Sequence, residues 1–420
     1  MAELYNSSIT TRLIDPVFDK AKFRTEFRLQ PDTVYLTNLR IAGLGVTSTP
    51  AQKLNGLVGN VGCIKQISLY DGNQLLDQCV QTSIYEGFKS FMHPNDRNLS
   101  VNRKLNHTSL GYVASGNQAY DAGTGRPSRD DVKVRTQNPD QSTDTKGWIA
   151  VSSILPFLRA SLSLPTNVYK SLRLVIEWKN ATELQDMVAE DRTHTLSTYE
   201  DAILIADEMN PSDARDSVMM NYQGVAYRPV EHDSVDLPAV TGIAVNGTKQ
   251  QSTSNMIKGF NNKTLHKLLL VQTPTDKTAY VSGNANLGYA NQGSQSLYKS
   301  KYQLRVNGAN KLSRDGWSGH NQRLGQLVDT FGECNIIMGQ NETFLAEGNN
   351  YIDSGTTLMG QLDYTGLDVE ERIDELIVEV DRTGVHANPA LNQRIRLNMY
   401  GEVDKQVVMR SDGRYNVIYS

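Results

Sequence analysis

From Leu172 to Trp178 a large apolar residue recurs at every second position. Leu172, Leu174, Ile176 and Trp178 fall on one side of an extended backbone; Arg173, Glu177 and, just beyond, Lys179 are the polar members of the other. A period of two holds apolar residues on one face of a half-buried strand, whereas a helix would scatter them round its axis. Upstream, Pro156 and Pro165 each stand among apolar residues. Proline brings no N–H to a ladder and fixes φ, so both are expected at corners between strands.

The same grammar recurs along the chain. Strand-like segments are read at 202–206, 265–272, 302–306, 376–380, 394–399 and 406–409, with turn residues between them and little helical periodicity. Such short strands between Gly and Asn turns predict antiparallel sandwiches. Two stretches read as hairpins, 64–75 turning at Asp71-Gly72 and 302–312 turning at Asn307-Gly308, because these dipeptides tolerate positive φ. One helix is expected in the middle. Asn210 is a good N-cap, Pro211 suits the first helical position, and Ser212-Asp213 adds acidic character, leading through Ala214, Val218 and Met219. With 420 residues the chain suits two domains of about 200 each, one on either side of that helix.

Composition narrows the function classes. Lys+Arg number 42 against 46 Asp+Glu, a net charge of −4, so the basic excess of a protein that coats nucleic acid is missing. Uninterrupted apolar runs such as 202–206 or 268–271 fall far short of the roughly 20 residues a membrane helix needs. The opening Met1-Ala2-Glu3-Leu4-Tyr5-Asn6 has no basic or apolar signal segment, and three sparse cysteines, Cys63, Cys79 and Cys334, read as buried thiols in a reducing compartment.

No enzyme signature stands out. Phosphate-loop, H-E-x-x-H, C-x-x-C and G-x-S-x-G patterns are missing, and the Gly-rich 123–126 is too short for a phosphate cradle. His93, His107, His194, His232, His266, His320 and His386 are widely spaced and read as surface or satisfied core residues. Asp368, Glu370, Glu371, Asp374 and Glu375 are the one dense carboxylate cluster; interleaved with Ile373 and Leu376, they read as the solvated side of a short helix or loop rather than a glycosidase pair. The Gly/Asn/Ser-rich stretch 283–300, with Tyr289 and Tyr298 inside it and Tyr280 just before it, reads as a long exposed contact loop. No catalytic, cofactor-binding or metal-ligating residue is assigned.

Several segments, in order, resemble one family. Leu155-Pro156-Phe157, Leu162-Ser163-Leu164-Pro165 and Leu172-Arg173-Leu174-Val175-Ile176-Glu177 resemble the signature "P-L-x-F-W-F … G-L-A-L-P-L-x-A-L-x-Y-x-x-V-x-I-x-I-E" of major capsid proteins of large eukaryotic DNA viruses, without its tryptophan-rich part. Asp201 to Glu208, followed by Asp213-Ala214-Arg215, is similar to that family's interdomain link, with its tyrosine and Glu-Arg pair altered. Phe260 to Gln272 resembles "F-N-H-P-V-K-E-L-I-W-V-V-Q", and Leu304 to Gly308 with Arg314-Asp315-Gly316 resembles "L-x-L-N-G-x-x-R-x-x-x-R-x-G". The end, Val408 to Ser420, resembles the family's terminal "S-G-x-x-x-x-x-Y-S". The collinear order of the matches, across residues 154 to 420, carries the resemblance.

The resemblance implies an all-β double jelly roll: two consecutive eight-stranded antiparallel sandwiches with short helices in the linker and loops. The expected division is an N-terminal arm at 1–28, a first jelly roll at 29–208, a linker helix at 209–225 and a second jelly roll at 226–420. It further implies a homotrimeric capsomer of pseudo-hexagonal outline in an icosahedral virion shell. Its partners would be neighbouring capsomers, penton and minor capsid proteins, and in some relatives an internal membrane layer, with no sequence-specific nucleic-acid binding, no cofactor and no catalysis. A non-capsid assembly scaffold on the same fold, and a β-sandwich that binds or hydrolyses carbohydrate, are the alternatives.

Overall fold

Leu172–Trp178 is the middle strand of a five-stranded antiparallel sheet, flanked by Arg24–Arg28 and Ile64–Asp71, with Val17–Asp19 and Gln74–Val80 outside them. Its four inward residues are at most 2% exposed. Trp178 meets its one polar obligation by donating Nε1–H to Thr25 Oγ1 at 2.7 Å. The computed structural model describes residues 9–19, 22–44, 47–48, 59–86, 120–121, 126–127, 147–179, 194–195, 202–275, 301–312, 317–318, 320–331, 364–386 and 394–419. The loop at 283–300 with Tyr280, Gly123 to Gly125, Arg314 to Gly316, His93, His107 and Cys334 lie outside the described residues.

Against this sheet packs a second, ordered Gly147–Ala150, Arg40–Leu44, Ile203–Met209, Val34–Leu36 and Ser163–Pro165, with Ile9–Ile14 paired along Ile203–Met209. Phe27, Ile41, Leu69, Leu164, Leu174 and Leu204 from the two sheets share one core. The segment 1–28, read above as an arm, supplies three strands to these sheets: Ile9–Ile14, Val17–Asp19 and Arg24–Arg28. Thr25 and Phe27 are fully buried, so the end of that segment is core rather than tether. Pro156 also differs from expectation. It opens the short helix Pro156–Ala160, because a missing N–H costs nothing in a helix's first turn. Pro165 ends the edge strand Ser163–Pro165, where no ladder bond is lost.

The second half repeats the layering. Val230–Leu237, Ile395–Val403, Thr264–Pro274 and Tyr364–Arg372 form a four-stranded sheet. Thr248–Ile257, Leu376–Val385, Lys301–Val306 and Ala309–Asn310, with Trp317–Ser318 on Lys301–Val306, form the other. Their core gathers Phe260, Leu268, Leu270, Tyr302, Leu304, Val378 and Leu397. A smaller sheet of Gly224–Tyr227, Lys405–Met409 and Tyr415–Tyr419 adjoins the first half. Every ladder among the described residues joins strands within 9–209 or within 224–419.

Both hairpin turns are present. Gly72 sits at φ +55°, and Asn307 and Gly308 at φ 50° and 81°, so the second turn has the paired left-handed residues of a two-residue loop. The middle helix is Asp213–Met220, starting later than Asn210-Pro211 predicts because Ser212 is the cap: its side chain accepts from the Arg215 N–H at 3.2 Å. A second helix, His320–Phe331, was not expected from the pattern. It buries Leu327 and Phe331 one turn apart on Tyr364–Arg372, where Gly366 makes room: a Cβ there would meet Phe331 at 2.8 Å. Lys267 Nζ donates to Thr330 O at 2.7 Å, binding a carbonyl of that helix's last turn. The carboxylate cluster lies neither on a helix nor in a simple loop. It spans the end of Tyr364–Arg372 and the corner into Leu376–Val385, where Ile373 and Leu376 are fully buried and Asp368, Glu370 and Asp374 face solvent.

Candidate functional site: the seam between the sandwiches

The first core does not stop at the first sandwich. It continues through Tyr227, Val230, Leu269, Val271, Leu327, Phe331, Tyr400 and Val407 of the second half. Aromatic rings carry the crossing. Phe157, held at the start of its short helix, meets the Tyr227 ring edge-on at 5.2 Å between centroids. Tyr169 meets Tyr415 at 5.2 Å and Tyr222 at 5.7 Å, and Tyr85 lies 5.3 Å from Tyr400. Pairs in such tilted arrangements add about 0.5–1.5 kcal/mol each beyond their burial.

The phenol ends fix the register. Tyr227 Oη donates to the Leu76 carbonyl, Tyr415 Oη to Asp71 Oδ2 at 2.7 Å, and Tyr400 Oη to the Gln81 carbonyl at 3.4 Å. All three reach from the second half to the hairpin Ile64–Val80 or the residue that follows it. Tyr169 and Tyr222 share a hydroxyl contact at 2.7 Å. Burial pushes the phenols of Tyr169, Tyr222, Tyr227 and Tyr415 above their ordinary range, so they stay neutral and able to donate.

Charge is buried here too. Asp77 is fully buried and accepts from the Phe157 N–H at 2.7 Å and the Gln78 N–H at 2.9 Å. Burial outweighs those bonds and pushes its carboxyl up to about 7. Lys405, 3% exposed, is paired in the ladder between Tyr227 and Tyr419 and sets its ammonium 4.9 Å from the Tyr419 ring centre. Burial draws its pKa down, opposed by the charges of Glu231 and Asp77. Glu231 accepts from Tyr419 Oη at 2.8 Å and lies 3.8 Å from Lys263 Nζ. The arrangement does one thing: it clamps two sandwiches in one relative pose with directional bonds inside a water-poor joint.

Solved structures share this plan. The mavirus major capsid protein matches with a TM-score of 0.52 at 11% identity, covering 98% of this chain and 90% of that one. A chain of the Sputnik virophage structure matches at 0.53, 11% identity, 98% and 88% coverage. The Faustovirus major capsid protein matches at 0.54, 6% identity, 96% and 90% coverage. The fold is the double jelly roll of viral major capsid proteins. No protein-family model and no curated protein matches the sequence.

Within this double jelly roll the residues weighed from sequence are dispersed. His194 lies in a two-residue strand, His320 opens the second helix, and His386 follows Leu376–Val385. His232 packs on Tyr400 at 4.9 Å and contacts Asn398 Oδ1 at 3.2 Å; burial lowers its pKa, so it is neutral. Among the described residues no group of three His, Cys, Asp or Glu is placed to hold a metal ion. Cys63 and Cys79 are buried and not joined in a disulfide, and burial pushes Cys63 up to about 12. Of the acidic cluster, Glu371 pairs with Lys311, and Asn307 Oδ1 accepts from the Asp374 and Glu375 N–H groups. Sequence reading missed the seam tyrosines. Each sits in a strand, loop or short helix where a tyrosine is unremarkable, and only their convergence distinguishes them.

Proposed function

We propose that this protein is the major capsid protein of a double-stranded DNA virus, with its place in the virion shell. The observation that carries the proposal is the match to two major capsid proteins over 96–98% of this chain and 90% of theirs, which takes in both sandwiches at once. The finer reading is a homotrimer of pseudo-hexagonal outline, tiling an icosahedral shell beside penton and minor capsid proteins. The functional division is two jelly rolls joined through 209–225, and the protein's role is geometric rather than catalytic. A capsomer needs its two sandwiches held as one stiff block, and the seam's directional bonds supply that stiffness. Contacts between copies would bury on the order of 2,000 Å² or more, as obligate oligomers do, and threefold closure would prevent open-ended growth. The loop at 283–300 is assigned to the threefold contact.

Size-exclusion chromatography with light scattering, followed by negative-stain imaging, tests this. A species of three chains with a six-cornered outline is expected. A monodisperse monomer at high concentration overturns the trimer. Recovery of the protein only from immature assemblies, never from mature particles, would assign it to an assembly scaffold instead.

A further inference from the structure

His266 lies in Thr264–Pro274, an inner strand of the four-stranded sheet, at the point where the pairing slips between Leu265 and Lys267 on both sides. It is 6% exposed. The neighbouring strands bring a carboxylate to each ring nitrogen: Glu370 Oε2 is 2.7 Å from Nδ1, and Asp404 Oδ2 is 2.7 Å from Nε2. A neutral imidazole has one N–H and one lone pair, so it can serve one of these carboxylates and must repel the other. Only the imidazolium donates to both. Glu370 stands in the left-handed region at φ 50°, a backbone state that glutamate adopts only when held.

We propose that His266 is a protonation-gated latch: as imidazolium it ties the inner strand to both neighbours and holds Glu370 in its left-handed bulge, and as neutral imidazole it releases Glu370. Glu370 is the arm that leaves, because its side chain is 61% exposed and water solvates it once freed. Asp404 stays, since Arg228 Nε holds its other oxygen at 3.1 Å. The charged groups around the ring come from every packed element. They are Glu370 on Tyr364–Arg372, Glu402 on Ile395–Val403, Asp404 just past that strand, and Arg228 before Val230–Leu237. Burial works against the charged ring, but the bonds to Asp404 and Glu370 outweigh it and raise the pKa above 6.5. The latch therefore contributes its full stability below the unfolded value of 6.5, and that contribution is lost as pH rises through the folded value. Release reaches the corner at 373–375, where the Ile373 N–H donates to Lys263 O at 3.0 Å and the chain passes from one sheet to the other.

The test uses the full chain. Histidine C2–H exchange, read by mass spectrometry across pH, should give His266 a pKa above its ordinary value and His232 one below it. Amide exchange at Ile373, corrected for the intrinsic pH dependence, should accelerate several-fold as His266 deprotonates, while amides in Leu172–Trp178 keep their protection. Glu370→Ala, which removes the arm at an exposed side chain, should lower the His266 pKa and make Ile373 exchange fast at every pH. An imidazole that titrates at or below its ordinary value overturns the latch, as does Ile373 protection that ignores its titration. These readouts stand apart from assembly, so a failed trimer test leaves them intact.

Discussion

The core around Trp178 and the seam around Tyr227 are both buried, yet they are built on opposite rules. In the first, Leu172, Leu174, Ile176 and Trp178 bury apolar surface with one neutral hydrogen bond, Trp178 to Thr25. In the second, Asp77 and Lys405 bury charged ends, and Tyr227 and Tyr415 bury hydroxyls whose partners lie 151 and 344 residues away along the chain. Apolar burial is large and non-directional, so it drives collapse without choosing a pose. A ring with a hydroxyl at its tip gains from burial only if that tip meets an acceptor, so it selects one pose among the compact ones. The core stabilises the sandwich; the seam specifies how two sandwiches meet.

The largest effect should separate the two regions at once. Trp178→Ala is expected to cost about 3–5 kcal/mol in equilibrium denaturation, the range for emptying a large buried aromatic site. The loss should be nearly the same at all pH values between neutral and mildly acidic. A small loss would mean that the strand's register is wrong.

Asp77 should show the opposite character. Unfolded it ionises near 3.8, and folded near about 7, so between those values the folded state holds the extra proton. Stability therefore falls as pH rises through that window and stays lower above it. Asp77→Asn keeps an acceptor for the Phe157 N–H without the buried charge. The stability of the variant relative to the wild type should therefore rise as pH goes from about 4 to about 8. A gap that does not change with pH would show that Asp77 is not the titrating group.

Tyr227→Phe sharpens the comparison further. The ring and its contact with Phe157 remain, but the buried Leu76 carbonyl loses its phenol donor, for an expected loss of about 1–3 kcal/mol. If the seam sets pose rather than bulk stability, proteolysis between residues 209 and 225 should speed up by more than global unfolding predicts. The smallest effect belongs to Glu177→Ala, on the outer side of the Trp178 strand, which should stay within about 0.5 kcal/mol. A large loss there would erase the distinction between that strand's two faces.

Local rules were legible along the chain. The alternation at Leu172–Trp178 and the turns at Gly72 and Asn307-Gly308 appear where their side chains and backbone preferences demand them. The misreadings are also local in origin. Pro156 suits a strand corner and a helix start equally, and Ser212 outcompetes Asn210 as a cap by bonding the Arg215 N–H. The helix His320–Phe331 does carry a local mark: Leu324, Leu327, Val328 and Phe331 fall at i, i+3, i+4 and i+7, the spacing of one helical face, but the run is short, otherwise polar and weakened by Gly325.

By itself the sequence determined which segments extend, where they turn, and which face of each strand is apolar, because those choices depend on residues two to four apart. Only the tertiary structure decided that residues 9–28 join the first sandwich and that tyrosines from distant strands close one seam. It alone brought Glu370 and Asp404, 104 and 138 residues away, to the two nitrogens of His266. A buried tyrosine or histidine carries no mark of its partner in its own neighbourhood. That partner is chosen by which strands pair and which sheets pack, a property of the whole chain.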